Sequence, residues 1–443
     1  MELGVRNDKF FAVNKQKIPS IHADDWIPIE NRNFTFLLHV PSSTLVEVAP
    51  TALNSETCKS SCPLCLFEQQ VSLPKKIAPK IDISAIALNV VESCNLRCTY
   101  CFAGDGDYGE PSIMSVELAK KAIQYFVKDR SDLHIVFFGG EPLLNFNLIE
   151  KIVDWCESQM SKRFSYGITT NGVLLKQSIL SFFKKYNFAL KISYDGPLLQ
   201  AKQRIGTTNK LNLGMLTEKK LAKYYEALSQ LKSLKIRSTL CPDSLSQAFD
   251  NIISVLNSQT YRFAFARASS PDERLKFSRL DIEKLNKILE KIVDYYLEKE
   301  DFHSLLQLSN LNKFIKMVHR GDYHRNYCGA GINYLSISTS GGFFLCHRFT
   351  EDREESLGNL DEGLDLNKAK KISEFRAGNA EPCRSCWMRN FCGGGCFHEH
   401  KTANRSITKV DPMFCLLQDA ELRQSIRVYL HLKHEAPELL DKQ

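Results

Sequence analysis

The chain has 443 residues, a length that allows two to four domains. Charged residues make up 25% and hydrophobic residues 43%, as in ordinary globular proteins, and there is no low-complexity tract or obvious repeat, which argues against a disordered or repetitive chain. The net charge of +7 contains no block of like charge, so a solvated basic surface explains it; an acidic peptide is the alternative partner, and no nucleic acid is expected.

The N-terminal residues 1–78 are expected to form a separate segment with a β-hairpin. The hairpin is predicted at Phe34–Val40 and Thr44–Val48, joined by a turn at Pro41-Ser42-Ser43. The first residues lack the apolar h-region of a signal peptide, and no apolar run reaches transmembrane length. We therefore expect a cytoplasmic protein without a membrane partner, in which 15 cysteines favour metal ligation over disulfides.

The same segment contains the triplet Cys58, Cys62 and Cys65, spaced C-x3-C-x2-C. One interpretation is a metal site. The other is a helix that presents three small apolar side chains on one face, although Pro63 would disturb that helix.

From Ile83 onward, predicted strands and helices alternate in six repeats with short connections. The strands are predicted at Ile83–Val91, His134–Phe138, Ser165–Thr169, Ala189–Tyr194, Ile236–Leu240 and Tyr261–Ala266. The helices are predicted at Met114–Lys128, Asn147–Met160, Leu174–Tyr186, Glu218–Leu234 and Leu245–Leu256. This order predicts an α/β fold, a partial (β/α)6 TIM-like barrel over residues 79–272.

Three loops at the carboxyl ends of these strands carry the residues of interest, which is where such barrels place their sites. The first loop contains Cys94, Cys98 and Cys101. Three thiolates in one short loop can hold three irons of a [4Fe–4S] cluster and leave the fourth iron open, which makes a reactive site. The other two loops are Gly139–Pro142 and Asp195–Pro197; alone, each is equally typical of a simple turn.

Beyond the barrel we expect a helical bridge over residues 273–326, a loop-rich domain over 327–418 and a closing helix within 419–443. The predicted elements are helices Asp281–Leu297, Leu305–Val318 and Asp419–Leu432, and short strands Tyr334–Ser338 and Phe343–Cys346. The domain contains seven cysteines: Cys328, Cys346, Cys383, Cys386, Cys392, Cys396 and Cys415. The C-x2-C-x5-C-x3-C run within it would arise by chance in roughly one such chain in two thousand. A small domain stapled by metal is predicted; iron–sulfur clusters are favoured, and zinc is the competitor.

Together these motifs resemble the radical S-adenosylmethionine superfamily, in its branch with a C-terminal SPASM domain, over about Ile83 to Leu417. The resemblance implies that Cys94, Cys98 and Cys101 bind the radical-generating cluster. It implies that Gly139, Gly140 and Glu141 hold the amino group of the cofactor's methionine part. Ser193 and Asp195 match an element near the ribose, and Arg204 matches an arginine that pairs with the cofactor carboxylate.

The SPASM resemblance also implies two auxiliary iron–sulfur clusters. By analogy, one would be fully ligated by Cys383, Cys386, Cys392 and Cys415. The other would be held by Cys328, Cys346 and Cys396. Some relatives add an eighth cysteine to that second cluster, and Tyr334 stands at the equivalent position here, which predicts an open iron.

Members of this branch mostly modify ribosomally made peptides. Anaerobic sulfatase maturases, one such group, usually have an aspartate after the second auxiliary cysteine, whereas this chain has Cys346-His347-Arg348-Phe349. That run is more similar to maturases of natural-product peptides. The expected function is therefore cross-linking of a ribosomally made precursor peptide through a 5′-deoxyadenosyl radical, with flavodoxin or ferredoxin as electron donor. The hairpin at Phe34–Val48 resembles the start of leader-peptide-binding modules.

Two alternatives remain. Formylglycine formation would place the chain among the sulfatase maturases. A non-enzymatic iron–sulfur or zinc protein would explain the cysteines but leave Glu141 and Arg204 without a purpose. Cys156 and Cys241 are predicted to be buried thiols, and His398 and His400 are interpreted as exposed loop residues or zinc ligands.

Overall fold

The computed structural model describes residues 26–31, 34–39, 44–48, 81–159, 161–206, 213–258, 261–322, 326–350, 352–375 and 381–441. It is a mixed α/β fold built on a parallel sheet, which confirms the predicted fold class. The triplet Cys58, Cys62 and Cys65 lies outside the described residues. None of the described helices combines the length and apolar character that a membrane span requires.

The strands, in chain order, are β1 Trp26–Asn31, β2 Phe34–His39, β3 Thr44–Val48, β4 Ala85–Glu92, β5 Leu96–Cys98, β6 Ser112–Ile113, β7 Asp132–Gly139, β8 Arg163–Thr170, β9 Ala189–Ser193, β10 Arg204–Gly206, β11 Ser233–Leu240, β12 Arg262–Arg267, β13 Tyr334–Ile337, β14 Gly342–Phe344, β15 Ser356–Asn359 and β16 Gly363–Leu364. Six of them form the barrel wall in the order β4-β7-β8-β9-β11-β12, and every neighbouring pair is parallel. Because all six run the same way, their carboxyl ends meet at one mouth.

The α-helices are α1 Val116–Val127, α2 Phe146–Glu157, α3 Gln177–Lys185, α4 Gln200–Gln203, α5 Met215–Lys223, α6 Tyr225–Ser229, α7 Leu245–Ser258, α8 Arg279–Glu298, α9 Phe302–Gln307, α10 Ser309–Arg320, α11 Leu366–Phe375, α12 Arg389–Cys392, α13 Phe397–Asn404, α14 Pro412–Glu435 and α15 Glu438–Asp441. Short 3-10 turns lie at Pro142–Asn145, Pro242–Ser244, Glu273–Leu275, Arg353–Glu355 and Cys383–Ser385. Ser278 begins α8 with a capping box, since its hydroxyl accepts from the Asp281 amide.

Alternation along the strands separates the core from the barrel interior. In β7 the buried residues Leu133, Ile135 and Phe137 pack against helices, whereas Val136 and Phe138 are half-buried. The same alternation recurs in β9 and β11. The half-buried set faces the interior of the barrel, because the Phe138 ring stacks on His347 of the C-terminal part.

The C-terminal part is hydrogen-bonded to the barrel. Strand β13 pairs in parallel with β4, the first barrel strand, and β14, β15 and β16 extend the same sheet by antiparallel pairing. The sequence predicts a separate small domain here, so this shared sheet is a feature that sequence reasoning missed.

Two predicted helices are wrong in extent. The helix predicted over Glu218–Leu234 is two short helices, α5 and α6, and its last two residues already belong to β11. The helix predicted over Leu305–Val318 is interrupted at Leu308, whose backbone is extended and forms a parallel bridge with Phe263.

The predicted N-terminal hairpin is confirmed. Strands β2 and β3 pair antiparallel, and the unpredicted strand β1 adds to the other side of β2. Leu38 of β2 is fully buried in an apolar cluster with Phe314, Leu422 and Ile426. This contact holds the small sheet against α10 and α14.

Candidate active site

The loop after β4 carries Cys94, Cys98 and Cys101 at the mouth of the barrel. Its central part forms strand β5, which pairs antiparallel with β10 so that Cys98 faces Arg204. The Cys101 amide donates to the Cys98 carbonyl at 3.0 Å, which closes a turn. The three thiols influence one another electrostatically, so the fold brings the predicted triplet together.

The three thiols fit a metal cluster by their surroundings. Burial raises the pKa of Cys94 to about 11 and that of Cys98 to about 12, so thiolates here need a compensating cation. N–H donors approach the sulfurs: the Leu96 amide at 3.4 Å and Asn171 Nδ2 at 3.8 Å from Cys94 Sγ. Arg204 Nη1 lies 3.8 Å from Cys98 Sγ.

Among the described residues, no three His, Cys, Asp or Glu side chains converge on a single-ion site. A mononuclear site needs such convergence. An iron–sulfur cubane does not, because each thiolate binds a different corner of the cluster. The three thiols are therefore compatible with a cluster.

Gly139 and Gly140 lie where β7 meets the cysteine loop. Gly139 has a φ of +135°, and an added Cβ would overlap the Val91 carbonyl. An added Cβ on Gly140 would overlap the carbonyls of Ser93 and Gly106. The Gly140 and Glu141 amides donate to the Val91 and Ser93 carbonyls at 2.9 Å. The glycines are therefore required for the loop to be held in place.

Glu141 is fully buried, and its carboxylate joins the ends of two strands. Oε1 accepts hydrogen bonds from Thr170 Oγ1 at 2.7 Å and the Leu143 amide at 3.1 Å, and Oε2 accepts from the Asn171 amide at 2.7 Å. Burial raises the pKa of Glu141 to about 7, although these hydrogen bonds lower it. The side chain thus has a structural role that the motif alone did not reveal.

Asp195 and Arg204 bind each other. Arg204 Nε donates to Asp195 Oδ2 at 3.0 Å and Nη2 donates to Oδ1 at 3.3 Å, with both side chains buried. Asp195 Oδ2 also accepts from Tyr100 Oη at 2.5 Å, and the guanidinium lies 5.4 Å from the Tyr100 ring centroid. Ser193, the half-buried last residue of β9, lies two residues before Asp195. The sequence assigned both charged groups to the cofactor and missed their mutual pairing.

Three of the C-terminal cysteines, Cys328, Cys346 and Cys396, form a first group whose thiols act on one another electrostatically. The thiols of Cys396 and Cys328 raise the pKa of Cys346, and burial, the largest cause, brings it to about 12. Tyr334 lies beside Cys346 and Cys328 and forms a hydrogen bond of 3.1 Å with His347 Nδ1.

The second group surrounds the start of α14. Burial and then the thiols of Cys392, Cys383 and Cys386 raise the pKa of Cys415 to about 12. Such mutual influence requires close approach in a poorly solvated interior. The Trp387 Nε1 group donates to Asp419 at 2.9 Å and ties the cysteine-rich turn to this helix.

A bridge of aromatic and basic side chains, which sequence reasoning missed, links the first cysteine loop to the C-terminal part. The Phe102 ring, next to Cys101, lies 6.0 Å from the His347 ring and 6.1 Å from the His398 ring. Arg348 lies 5.4 Å from the Phe102 ring centroid. The adjacency of Phe102 to Cys101, and of His347 to Cys346, was the available signal.

The structure also describes the two histidines and the two cysteines that were predicted to lie outside the cluster sites. His398 and His400 are buried in α13 and are not exposed loop residues. His400 lies 2.9 Å from the Gly394 carbonyl through Nε2 and accepts from the Asp411 amide through Nδ1 at 3.2 Å. Cys156 and Cys241 are buried, as predicted.

Comparisons with known proteins agree with this geometry. Residues 88–241 match the family model of the Radical SAM superfamily. The chain is 26% identical over 370 residues to the radical SAM cyclopropyl synthase TigE of Paramaledivibacter caminithermalis. This alignment covers 78% of this chain and 74% of that protein. It is 22% identical over 356 residues to a cysteine-type anaerobic sulfatase-maturating enzyme of Clostridium novyi, covering 75% of this chain and 92% of that protein.

Two solved structures share the fold. Native anSMEcpe with bound AdoMet superposes with a TM-score of 0.64 at 17% identity, covering 79% of this chain and 99% of that one. Streptococcus suis SuiB bound to its precursor peptide SuiA superposes with a TM-score of 0.52 at 15% identity, covering 88% and 98% of the two chains. The shared architecture thus extends well beyond residues 88–241.

Proposed function

From a chain that carries a radical SAM domain at residues 88–241, we propose a radical S-adenosylmethionine peptide maturase that cross-links a ribosomally made precursor peptide. One observation carries this proposal: the rings of Phe102, next to Cys101, and His347, next to Cys346, lie 6.0 Å apart, between the first cysteine loop and the C-terminal cysteines. A substrate bound beside these rings would lie between a radical source and a second redox centre.

The residues on either side have distinct tasks. Cys94, Cys98 and Cys101 would hold a [4Fe–4S] cluster, which with S-adenosylmethionine supplies a 5′-deoxyadenosyl radical that removes a hydrogen atom from a substrate side chain. The Asp195–Arg204 pair fixes a positive charge next to Cys98. Phe102 and Phe138 both contact the His347 ring, and these three rings would restrict the access of water to the radical.

Ring closure in the peptide must account for every hydrogen and electron that the peptide loses. A carbon–carbon bond replaces two C–H bonds: one hydrogen leaves as an atom to 5′-deoxyadenosine, and the other leaves as a proton and an electron. A cluster held by Cys328, Cys346 and Cys396 would supply an electron acceptor of the right class. Cys383, Cys386, Cys392 and Cys415 would hold a second auxiliary cluster. Flavodoxin or ferredoxin remains the proposed donor of the initiating electron.

A second candidate is favoured by TigE, whose name describes a cyclopropyl synthase. Closing a cyclopropane within one side chain also removes two hydrogens and needs the same electron acceptor. Formylglycine formation is the third candidate, since sulfatase-maturating enzymes are also relatives. The three reactions differ in where the new bond lies.

The test is incubation of anaerobically reconstituted enzyme, S-adenosylmethionine and dithionite with the peptide encoded beside its gene. We expect 5′-deoxyadenosine and a peptide lighter by two hydrogen atoms per new bond. Tandem mass spectrometry separates the candidates: a cross-link between residues keeps the fragments joined, a cyclopropane leaves the fragment ladder intact, and formylglycine reacts with a hydrazide. Cofactor cleavage with unchanged peptide mass would contradict the proposal. Cys98→Ser should abolish cleavage, and Cys156→Ser is the matched control.

A further inference from the structure

Two cations, Lys191 and Arg237, project into the interior of the barrel from neighbouring strands. In the parallel register of β9 and β11, Lys191 lies beside Lys235 and Ser193 lies beside Arg237. The two cations are therefore diagonal neighbours on one face of the sheet. Each belongs to the more accessible set of its strand, the set that faces the interior.

Across the ranges that the structure describes, no hydrogen bond or ion pair of the Lys191 ammonium or the Arg237 guanidinium is formed with another side chain. Burial lowers the pKa of Lys191 to about 8, and the charges of Arg237 and Lys235 lower it further. Burial also lowers the pKa of Arg237 although its side chain is accessible to water, as expected for a group lining an enclosed space.

The positive charge continues down the barrel. Lys235 is next to Arg262 in the register of β11 and β12, and both Arg262 and Arg237 lower the pKa of Lys235. No carboxylate is among the groups that act on Lys191 or Lys235. Like charges in a poorly solvated space repel one another, and conflicts of this kind are typical of functional sites.

Two roles other than substrate binding are compensation of cluster thiolates and binding of the cofactor carboxylate. Compensation of cluster thiolates fits Arg348 and in part Arg237, whose pKa the Cys396 thiol raises. It does not fit Lys191, on which no thiol acts. Binding of the cofactor carboxylate does not require this pair either, because Arg204, 3.8 Å from Cys98 Sγ, is already available for it.

The pair shares the barrel interior with the His347–Phe138 stack. Phe138 of β7, Lys191 of β9 and Arg237 of β11 all belong to the more accessible, interior-facing sets of their strands, and the Phe138 ring stacks on His347. Glu399, the carboxylate that does act on Arg237, is already paired with Arg267 and Arg348. Among the described residues no carboxylate is left for Lys191, so a bound ligand can supply the negative charge.

We propose that Lys191 and Arg237 bind a carboxylate of the substrate and so select peptides that present an acidic group to the barrel. The inference rests on the proposed function and names its substrate class. The carboxylate comes either from an aspartate or glutamate side chain or from a peptide C-terminus. A lysine and an arginine together can satisfy both oxygens of such a group.

The test uses no turnover. Reconstituted full-length enzyme is treated with formaldehyde and a borane, and dimethylation of Lys191 is followed by peptide mass spectrometry. N-acetyl-aspartate N-methylamide should slow labelling about threefold or more near saturation, whereas N-acetyl-asparagine N-methylamide should not. N-acetyl-alanine, with only an α-carboxylate, distinguishes a C-terminus from a side chain. Surface Lys284 is the internal control. Equal labelling with all three compounds would overturn the proposal.

Variants make the test specific to the pair. Arg237→Met should abolish protection, Arg237→Lys should retain it, and the exposed Arg279→Met is the matched control. Protection without peptide turnover would preserve the site and contradict the proposed function. Peptide turnover without protection of Lys191 would support the proposed function and contradict the carboxylate site. With the peptide substrate, Lys191→Met should raise KM for the native peptide but leave KM unchanged for the same peptide with its carboxyl groups methylated.

Discussion

At the scale of single residues, the close approach of Gly140 to the cysteine loop determines whether that loop can adopt its structure. The glycine has no side chain because two backbone carbonyls, from Ser93 and Gly106, occupy the space. A methyl group there can be accommodated only if backbone moves.

We expect Gly140→Ala to displace the loop and to lower the iron bound by about four atoms per chain, the content of one cluster. The matched control is Gly104→Ala in the same loop, where an added Cβ meets no atom within 4 Å and only the left-handed backbone, with a φ of +62°, disfavours a side chain. Iron analysis after reconstitution measures both. Full iron in Gly140→Ala would contradict this account of the loop.

The buried Asp195–Arg204 pair supports a second prediction. Asp195→Asn removes the charge that compensates a buried guanidinium. Loss of one partner of a buried pair costs about 3–5 kcal/mol, which corresponds to a fall of about 3–5 °C in the thermal unfolding midpoint of a chain of this length.

Glu283→Gln is the matched control, because its ion pair with Arg279 is exposed at the surface and should contribute less than about 1 kcal/mol. Differential scanning fluorimetry of the two variants decides the point. Equal midpoints would show that the buried pair contributes no more than the surface one.

Sequence reasoning was sufficient for the cysteines and the glycines, because their spacing is local. It was insufficient for Asp195 and Arg204. Their pairing depends on β10 folding back onto β5, which lies about a hundred residues earlier. Only the folded chain reveals which of two possible partners, protein or cofactor, each group meets first.

At the scale of elements, strand β12 is the last strand of the barrel wall, and its outer side is closed by side-chain hydrogen bonds. The Asn310 amide of α10 accepts from the Phe265 amide at 3.0 Å and donates to the Phe265 carbonyl at 3.1 Å, as a neighbouring strand would. It also donates to Glu421 of α14 at 2.7 Å.

Asn310→Leu should therefore destabilise the fold, since it leaves backbone groups of β12 unpaired in a buried position. A cost of about 1–3 kcal/mol, or about 1–3 °C in the unfolding midpoint, is expected. Asn147→Leu, at an exposed position of α2, is the control. An unchanged midpoint in Asn310→Leu would show that water replaces the lost hydrogen bonds.

Most strands were predicted to within a few residues because alternating or continuous apolar runs are local signals. The helix over Glu218–Leu234 was overextended for the same reason. Leu231 and Leu234 continue the helical spacing, yet both are buried by the sheet and the second belongs to β11. The break at Leu308 depends on β12, so no local pattern could reveal it.

At the scale of the whole molecule, long-range contacts join the barrel to the cysteine-rich part. Arg267, the last residue of β12, forms buried ion pairs with Glu399 and Asp411. The long helix α14 packs on α8 and α10 and carries Cys415 on its first turn. A cluster on Cys415 would therefore connect this helix to the turns around Cys383.

We expect the double substitution Cys386→Ser and Cys415→Ser to remove about four irons per chain and to lower the unfolding midpoint by several degrees, because a metal site that staples a small domain contributes folding free energy. Cys156→Ser, a buried thiol remote from both groups, should retain full iron. Iron analysis and thermal unfolding under anaerobic conditions measure both effects. Full iron in the double variant would exclude these thiols as ligands.

The ladder between β13 and β4 has a further consequence. Strand β4 leads to Cys94, and the hairpin that begins with β13 leads to Cys346. The two strands are hydrogen-bonded neighbours in one sheet, so the groups at their ends are held at a constant separation. If both bind clusters as proposed, electron tunnelling from one to the other should be indifferent to solvent viscosity. Substrate binding and product release, which require motion of the protein, should slow as viscosity rises.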